Sequence, residues 1–329
     1  MTLLTTAMLV AGAVIRTGYP HELLVNVGAG MAMVIATYVI LEPLIQDLRK
    51  PDVEKHSRLD FPAFFRAVEG ARSTVAILET GTPALGHQYL REFRAALGEA
   101  FDNDVAVRML LLDPDSSAAE QRTEELGGHT DIRELVTDNL RHLAQIGSEA
   151  RGQLEVRLYS ATPSVQMYRW DDKAFLSFYP VGRLSDDSEQ LEVFLASPWG
   201  QFVQARFAEL WDDRGTRDIT DYFRLGVRLW YEGEENGDRT LRYVWHDDAY
   251  YVPSADLGGD ALFLDSRRLE LHTTQHPLWV GREAYTKLRL DRVDQREEAH
   301  TLDRVTALFG RKYGQREKAV VRLIPTAHG

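Results

Sequence analysis

Apolar residues form two long runs at the start of the chain. The second run, residues 23–41, contains 19 residues without a charged side chain. At about 1.5 Å per residue, a helix of that length is just long enough to cross a hydrocarbon core of about 30 Å. An earlier run, residues 1–15, is followed by a short turn that carries Gly18 and Pro20. The pattern predicts a transmembrane helical hairpin over residues 1–46.

Basic residues favour one side of this hairpin. The short turn carries Arg16, whereas four basic residues follow the second apolar run: Arg49, Lys50, Lys55 and Arg58. Because the cytoplasmic flanks of membrane helices carry an excess of Lys and Arg, both ends of the chain are expected in the cytoplasm. This predicts an inner-membrane protein whose soluble domains lie on the cytoplasmic side. A charged linker over residues 47–60 is expected to connect the hairpin to these domains.

Between residues 61 and 215, short apolar runs alternate with amphipathic segments. The runs lie at 73–80, 105–113 and 153–160. Nearly continuous apolar character is typical of strands that are covered on both faces. The segments between them repeat apolar residues every three or four positions, as Leu90, Phe93 and Leu97 do, which is typical of helices. The alternation predicts an α/β domain, a mostly parallel sheet with helices on both sides.

The pattern changes over residues 222–326. Short segments alternate polar and apolar positions and are rich in aromatic and β-branched residues, which predicts antiparallel strands. One amphipathic helix is expected at about 294–313, followed by a last strand over 319–325. Several antiparallel strands with one late helix predict a small, mostly antiparallel β-barrel as a second domain.

Composition narrows the chemistry. The chain has 329 residues, no cysteine and a formal net charge of −12. The absence of cysteine excludes disulfides, thiolate metal sites and cysteine nucleophiles. The negative charge argues against general nucleic-acid binding. His272 and His276 are four residues apart, but at a strand end before Pro277 that spacing does not suit a metal ion, and no metal is expected.

Four phrases of the α/β domain share a family pattern: residues 107–116, 154–160, 167–183 and 202–213. In order and spacing they resemble the phospholipase-D-like superfamily, in particular a branch found in bacterial regulatory proteins. Active members carry a His-x-Lys motif, in which histidine attacks phosphorus and lysine holds the phosphate oxygens. Here Tyr168 takes the place of the histidine and Trp170 that of the lysine. The resemblance therefore implies a pseudoenzyme without catalytic residues.

The same region retains cationic and aromatic side chains that suit a ligand. The candidate ligand-binding residues are Tyr168, Arg169, Trp170, Lys173 and Arg183. Arginine binds phosphate through paired, charge-assisted hydrogen bonds, so a phosphate or nucleotide-like ligand is the expected occupant. The alternative is that these cations lie exposed at strand ends and pair with Asp171, Asp172 and Asp186.

A second set of phrases lies at residues 240–254, 279–293, 310–314 and 319–325. They resemble the split-barrel flavoproteins, the group that includes pyridoxamine-phosphate-oxidase-like and deazaflavin-dependent enzymes. The resemblance implies FMN or a deazaflavin as cofactor, and a homodimer or larger homo-oligomer with the cofactor at its interface. Gly314 suits a left-handed cap at the end of the late helix.

The resemblance also implies a set of cofactor-binding residues on the hairpin and the segments after it. They are Trp245, Tyr250, Ser254, Arg267, Arg268 and Arg282. The family's basic run, which binds the cofactor phosphate, is eroded here, because Asp260 and Asp265 stand where cations are expected. A barrel that has lost its cofactor, with the aromatic residues as its core, is therefore the alternative.

Two enzyme-like folds with incomplete motifs, next to a membrane hairpin, favour a sensor or effector. The expected function is a membrane-anchored cytoplasmic sensor that binds a nucleotide-like or flavin-like small molecule and signals through association of its membrane hairpins. One alternative is a membrane-tethered flavin- or deazaflavin-dependent oxidoreductase, and another is a non-catalytic membrane scaffold. The expected partners are the lipid bilayer, a second copy of the chain and a small-molecule ligand, with no nucleic acid.

Overall fold

The fold combines two large β-sheets with seven helices in the part of the chain that the computed structural model describes. The described residues are 53–150, 152–180, 182–185, 188–231, 234–257, 269–273, 278–280, 283–285, 287–293 and 298–326. Lys55–Gly329 form one compact unit, so both domains predicted from sequence contribute to it. The domain boundaries predicted from sequence stay predictions.

Most helices begin where the sequence offers a capping side chain. The helices are α1 (Phe61–Glu69), α2 (Leu90–Asp102), α3 (Ser117–Glu125), α4 (Ile132–Glu149), α5 (Pro198–Trp211), α6 (Ile219–Phe223) and α7 (Ala299–Tyr313). Side-chain oxygens accept hydrogen bonds from first-turn amides at the starts of α1, α3, α4 and α5, from Asp60, Ser116, Asp131 and Ser197. These caps satisfy amides that have no partner within the helix.

The strands at 74–79, 106–112 and 154–159 follow the apolar runs of the sequence, whereas those at 53–56, 217–218 and 234–241 are mostly polar. The first sheet contains β1 (Val53–His56), β2 (Thr74–Glu79), β3 (Ala106–Leu112), β4 (Leu154–Tyr159), β5 (Val165–Trp170), β6 (Lys173–Phe178), β7 (Gln190–Phe194) and β8 (Arg217–Asp218). The others are β9 (Leu225–Tyr231), β10 (Glu234–Leu241), β11 (Val244–His246), β12 (Ala249–Pro253), β13 (Leu269–Thr273), β14 (Leu278–Val280), β15 (Glu283–Tyr285), β16 (Lys287–Arg292) and β17 (Val320–Thr326).

The first sheet is mixed rather than mostly parallel. Its strand order is β1-β7-β6-β5-β2-β3-β4-β8. The neighbours β2, β3 and β4 run parallel, whereas β5 pairs antiparallel with β2 and β6, β7 with β6, and β8 with β4. The α/β class is confirmed in this mixed form, and the prediction of a mostly parallel sheet is wrong. The turn at Asp171 and Asp172 leaves no room for a crossover, so β5 and β6 must pair antiparallel.

Helices cover both faces of this sheet. Phe64 of α1 packs edge-on against Tyr168, with ring centroids 5.1 Å apart. Trp211 of α5 lies under the guanidinium groups of Arg108 and Arg157, at 5.4 and 4.6 Å from the ring centroid. Tyr168 pairs with Ile77 in the sheet register, and Arg108 pairs with the preceding residue of β2. Because successive strand residues point to opposite faces, the two helices lie on opposite sides.

Asp171, in the β5–β6 turn, is hydrogen-bonded to residues at the start of β2. It has a φ of 45°, and its carboxylate accepts hydrogen bonds from the amides of Arg72, Ser73 and Thr74 and from the Ser73 hydroxyl, at 2.7–3.3 Å. Burial works against the charged form, but these hydrogen bonds hold the pKa of the carboxyl below its usual value. The partners of Asp171 are therefore backbone amides, not the cations expected from sequence.

Replacing Asp171 with alanine is expected to lower the free energy of unfolding by about 2 kcal/mol, from the lost hydrogen bonds to a charged acceptor and the strained φ. Asp171→Asn keeps a residue that tolerates this φ and loses less. Since the pKa is lower in the folded protein, the stabilisation is present above the unfolded pKa of about 3.9 and is lost as pH falls through the folded value. Urea denaturation at pH 7 and pH 3 measures both effects; equal losses for the two variants would contradict the prediction.

The second sheet is open. It has the strand order β10-β9-β13-β16-β17-β12-β11, with all described pairs antiparallel, and β14 and β15 form a separate two-stranded sheet. The edge strands β10 and β11 do not pair with each other in the described part of the chain. The antiparallel character was predicted correctly, but the prediction of a split β-barrel is wrong, because the sheet does not close.

Helix α7 packs on this sheet and ends as the sequence predicts. Val305 and Phe309 are fully buried in a cluster with Val244 and Tyr251. Gly314 caps the helix with a φ of 73°, a left-handed conformation that glycine adopts without strain. The buried face of α7 continues to Lys312, which lies three residues after Phe309 and is therefore carried inward with the apolar side chains.

The membrane prediction requires correction. In the described residues no helix combines the length and the apolar character needed to cross a bilayer. The predicted hairpin, residues 1–46, lies outside those residues. The absence of such a helix contradicts the predicted transmembrane hairpin and the inner-membrane localisation that depended on it, whereas the lipid bilayer as a partner stays a prediction.

Candidate functional site

A cavity of about 310 Å³ is lined by residues from two stretches of the chain, 114–137 and 222–312. We call it the seam cavity. On one side lie residues of the β3–α3 turn and of α4, including Asp115, Glu134 and Thr137; on the other lie residues of β11 and α7. The residues contributed by β11 and α7 include Trp245, His246, Arg304, Leu308, Arg311 and Lys312. Its volume is at the lower end of that of small-molecule sites.

Lys312 is a buried cation in the lining of the seam cavity. Its side chain is 3% exposed, and its Nζ lies 3.6 Å from the ring centroid of Tyr243 and 3.8 Å from that of Tyr222. Both rings attract a cation through their π electrons. Nζ donates no hydrogen bond within the described residues. A buried ammonium group without an acceptor is costly, so Lys312 marks a position where an anion would be stabilised.

A buried ionic cluster lies behind Lys312. Asp113 and Asp115 follow the carboxyl end of β3, and Arg217 of β8 donates to both carboxylates through one nitrogen, at 2.7 and 2.8 Å. The hydroxyl of Tyr243 accepts a hydrogen bond from Arg217 at 2.8 Å and donates one to Asp115 at 3.0 Å. The cluster ties the end of the first sheet to the residue that precedes β11.

Burial and neighbouring charges shift the pKa values of Asp113, Asp115 and Lys312 in different directions. Burial raises the pKa of Asp113, against the opposing effect of Arg217. Burial also works to raise the pKa of Asp115, but Lys312 and Arg217 together lower it below its usual value. Burial lowers the pKa of Lys312 to about 7, with Asp115 opposing that shift and Arg217 adding to it. The pKa of Lys312 therefore lies near neutral pH.

The other cations of the seam cavity have carboxylate partners. Arg311 lies 2.8 Å from Glu134, and Arg304 lies 3.4 Å from the same carboxylate. Arg133 lies 3.5 Å from Glu120. The pairs of Arg304 and Arg311 join α7 to α4, the pair of Arg133 joins α4 to α3, and all of these residues line the cavity. Among the cations that line the cavity, Lys312 is the one without an ion pair in the described part of the chain.

Trp245 and His246 form the wall contributed by β11. The two-residue turn after them, Asp247 and Asp248, has positive φ values of 45° and 55° and closes the β11–β12 hairpin. Trp245 is partly buried, with its ring centroid 4.7 Å from that of Tyr250. Burial lowers the pKa of His246, although Asp247 opposes the shift. At neutral pH this wall therefore offers an aromatic ring and a largely uncharged imidazole.

The first predicted ligand site does not converge in the structure. Tyr168 is fully buried and hydrogen-bonds Thr82 at 2.8 Å and Glu79 at 3.3 Å. Trp170 packs on the same face of the sheet, against Phe64. These two aromatic residues belong to the core between the first sheet and α1.

The predicted cations of that site have different surroundings. Lys173 lies opposite Trp170 in the β5–β6 register. Arg169 points to the opposite face of the sheet and donates to the main-chain oxygen of Asp171 at 3.1 Å. Lys173 pairs with Glu192 at 2.8 Å. Arg183 is exposed in the segment after β6. The five residues do not line the seam cavity, and a ligand site built from them stays a prediction.

The second predicted site is brought together only in part. Trp245 lines the seam cavity, whereas Tyr250 is buried in the sheet core against Tyr243. Ser254 begins a short 3₁₀ turn on the far side of β12. Three further predicted residues, Arg267, Arg268 and Arg282, lie outside the described residues. The described residues do not provide a face for an isoalloxazine ring with a phosphate cradle, so FMN and deazaflavin stay predictions.

Sequence reasoning missed the residues at the centre of the site. The segment that contains Lys312 resembles a helix stop, and the segment with Asp113 and Asp115 resembles a turn and helix cap. Two signals were present. A lysine at the inward spacing after Val305 and Phe309 predicts an unusual buried cation. Acidic residues directly after a buried parallel strand lie where sheet-edge sites form.

Comparisons with known proteins leave the family open. No protein-family profile and no curated protein matches the chain. One similar solved structure is TrmBL2, described as an archaeal chromatin protein with a novel mode of DNA binding, at 14% identity over 57% of this chain and 64% of that one, with a TM-score of 0.32. Another is a phosphatidylserine synthase from Haemophilus influenzae Rd KW20, at 15% identity over 50% and 39%, with a TM-score of 0.34.

These similarities are too weak to support the assignment made from sequence. The chain spans less than two thirds of either solved structure, and TM-scores this low carry no argument about fold or activity. The combined assignment of a membrane hairpin, a phospholipase-D-like domain and a split-barrel flavoprotein is contradicted, since no membrane-spanning helix and no closed barrel is found in the described residues.

Proposed function

We propose that this protein is a ligand-binding sensor, and that a small anionic, nucleotide-like molecule binds in the seam cavity with its anionic group on Lys312. The observation that carries the proposal is the buried Nζ of Lys312, which lines the cavity and donates no hydrogen bond within the described residues. A phosphate or carboxylate oxygen would supply the missing acceptor, and charge-assisted hydrogen bonds of this kind are among the strongest in proteins.

The aromatic wall supports a ligand that carries a ring as well as an anion. Trp245 lines the same cavity as Lys312, and a planar base can pack on an indole face or edge. The volume of about 310 Å³ suits a ligand of mononucleotide size or smaller. We therefore expect adenosine monophosphate to be a suitable first probe, with adenosine as its uncharged counterpart.

A route for signalling follows from the ion pairs that line the cavity. Arg311 and Glu134 of α4 both line the cavity and lie 2.8 Å apart. A bound anion competes with Glu134 for Arg311, and so changes the contact between α7 and α4. Ligand occupancy is thereby coupled to the packing of two helices, which is the requirement for a sensor.

Binding of the anion is expected to weaken as pH rises through 7. The Lys312 pKa of about 7 in the empty cavity means that the ammonium form, which the anion requires, is lost above that pH. From pH 7 to pH 8.5 the protonated fraction of such a group falls roughly fifteenfold, and the affinity for adenosine monophosphate should fall in proportion. Microscale thermophoresis or calorimetry at the two pH values measures the change.

Variants of Lys312 and Arg206 separate this role from general charge effects. Thermal unfolding with and without adenosine monophosphate should show a ligand-dependent rise in Tm for the wild type and none for Lys312→Met. The matched control is Arg206→Met. It removes a cation that pairs with Glu209 on α5 and does not line the cavity. Equal stabilisation of all three proteins, or none by adenosine monophosphate, FMN or inorganic phosphate, would contradict the proposal.

A further inference from the structure

We propose that Lys312 also binds its ligand covalently, by forming a reversible imine with an anionic aldehyde or ketone of small size. The inference deepens the proposed function and depends on it for the seam cavity and the anionic ligand, but here the neutral amine of Lys312 meets the carbonyl carbon and the anionic group lies towards Arg311, which lines the same cavity. The geometry points to this chemistry because a primary amine lines a partly enclosed cavity without a hydrogen-bond or ion-pair partner among the described residues.

The surroundings of Lys312 favour an amine that reacts. The rings of Tyr222 and Tyr243 flank Nζ at 3.8 and 3.6 Å and exclude water from two sides. Imine formation releases water, so a site that excludes water shifts the equilibrium towards the imine. The carboxylate of Asp115, whose charge acts on Lys312, is already engaged by Arg217 and Tyr243.

The reaction balances without an oxidant or reductant. The nitrogen lone pair of neutral Lys312 attacks the carbonyl carbon, the C–N bond forms, and the π electrons of the carbonyl group move to its oxygen. One proton passes from nitrogen to that oxygen, which gives the carbinolamine. Loss of the hydroxyl group together with a second proton from nitrogen forms the C=N bond and one molecule of water.

The supply of neutral amine distinguishes Lys312 from an ordinary exposed lysine. Burial lowers its pKa to about 7, so about half of the amine is neutral at pH 7. An exposed lysine with a pKa of about 10.4 has a neutral fraction roughly a thousandfold smaller. The lower basicity of Lys312 reduces the intrinsic reactivity of each neutral amine, and a net advantage of more than tenfold is expected.

Reductive trapping tests the inference. The full-length protein is treated at pH 7 with glyoxylate and sodium cyanoborohydride, which reduces an imine to a stable secondary amine, and the modified lysines are located by peptide mass spectrometry. We expect Lys312 to be carboxymethylated more than tenfold faster than Lys55 and Lys318, which are exposed. Labelling of Lys312 no faster than these two residues would overturn the inference.

Two controls distinguish failure of the inference from failure of the proposed function. Lys312→Arg keeps a cation but cannot form the imine, so it should lose trapping at this position while retaining part of the affinity for adenosine monophosphate. Propanal, which has no anionic group, should label wild-type Lys312 at least tenfold more slowly than glyoxylate. Equal labelling by both aldehydes would leave the amine chemistry standing and contradict the anion site.

Discussion

Replacing Arg217 with methionine is expected to lower the free energy of unfolding by about 3–5 kcal/mol, the cost of removing one partner from a buried ion pair. Arg217 is 12% exposed in its side chain, and its carboxylate partners Asp113 and Asp115 are 6% and 14% exposed. Without the guanidinium group, two buried carboxylates face each other with Lys312 as the remaining cation nearby. Urea denaturation at pH 7, followed by circular dichroism, measures the loss.

The matched control is Arg94→Met, which breaks an exposed ion pair with Glu149 on the surface of α2 and α4. Exposed pairs contribute about 0–1 kcal/mol, so this variant should remain close to the wild type. Adding Asp113→Asn to Arg217→Met should restore part of the lost stability, because it removes one unpaired charge. Similar, small losses for Arg217→Met and Arg94→Met would show that the buried cluster does not hold the two sheets together.

Gly200→Ala is expected to destabilise the protein by about 3 kcal/mol, although alanine is the better helix former. Gly200 lies in the first turn of α5, where an added Cβ would overlap the carbonyl oxygen of Phe194 and the Cα of Leu195. Both are backbone atoms, which cannot move away as the end of a flexible side chain can. The helix start would have to shift away from β7, and with it the hydrogen bond from the Gly200 amide to Ser197.

Gly98→Ala is expected to change the stability of the protein in the opposite direction, towards a more stable fold. Gly98 lies inside α2, and an added Cβ there would meet no atom within 4 Å. Alanine should therefore stabilise the protein by about 0.5–1 kcal/mol, the usual difference in helix propensity. Thermal unfolding of the two variants should move Tm in opposite directions. Changes of the same sign would show that the close approach of α5 to β7 does not limit this position.

The sequence pattern predicted the elements better than their arrangement. The runs that became β2, β3 and β4 and the hairpin of β5 and β6 were all visible, because burial on both faces and a short turn leave a local signature. Strand direction beyond a hairpin depends on which neighbour a strand meets. The placement of β5 beside β2, which makes the sheet mixed, is a long-range choice that no local pattern records.

The candidate site was less predictable, for a related reason. The seam cavity is built from segments far apart in the chain, as the hydrogen bond between Tyr243 and Asp115 illustrates. Each segment had a sufficient local explanation, as a helix stop, a turn or a hairpin. Trp245 was identified through a family resemblance, and it does line the cavity. Lys312 gains its low pKa only from burial between Tyr222 and Tyr243, which is a property of the folded chain.

Proton uptake on ligand binding tests the anion-binding role of Lys312 most directly. Calorimetric titration of adenosine monophosphate at pH 7.5, in two buffers that differ in ionisation enthalpy, gives the number of protons taken up per bound ligand. With a Lys312 pKa of about 7, the wild type should take up roughly three quarters of a proton, and Lys312→Met should take up none. Binding without proton uptake, or uptake that persists in Lys312→Met, would contradict the role of Lys312 as the anion's partner.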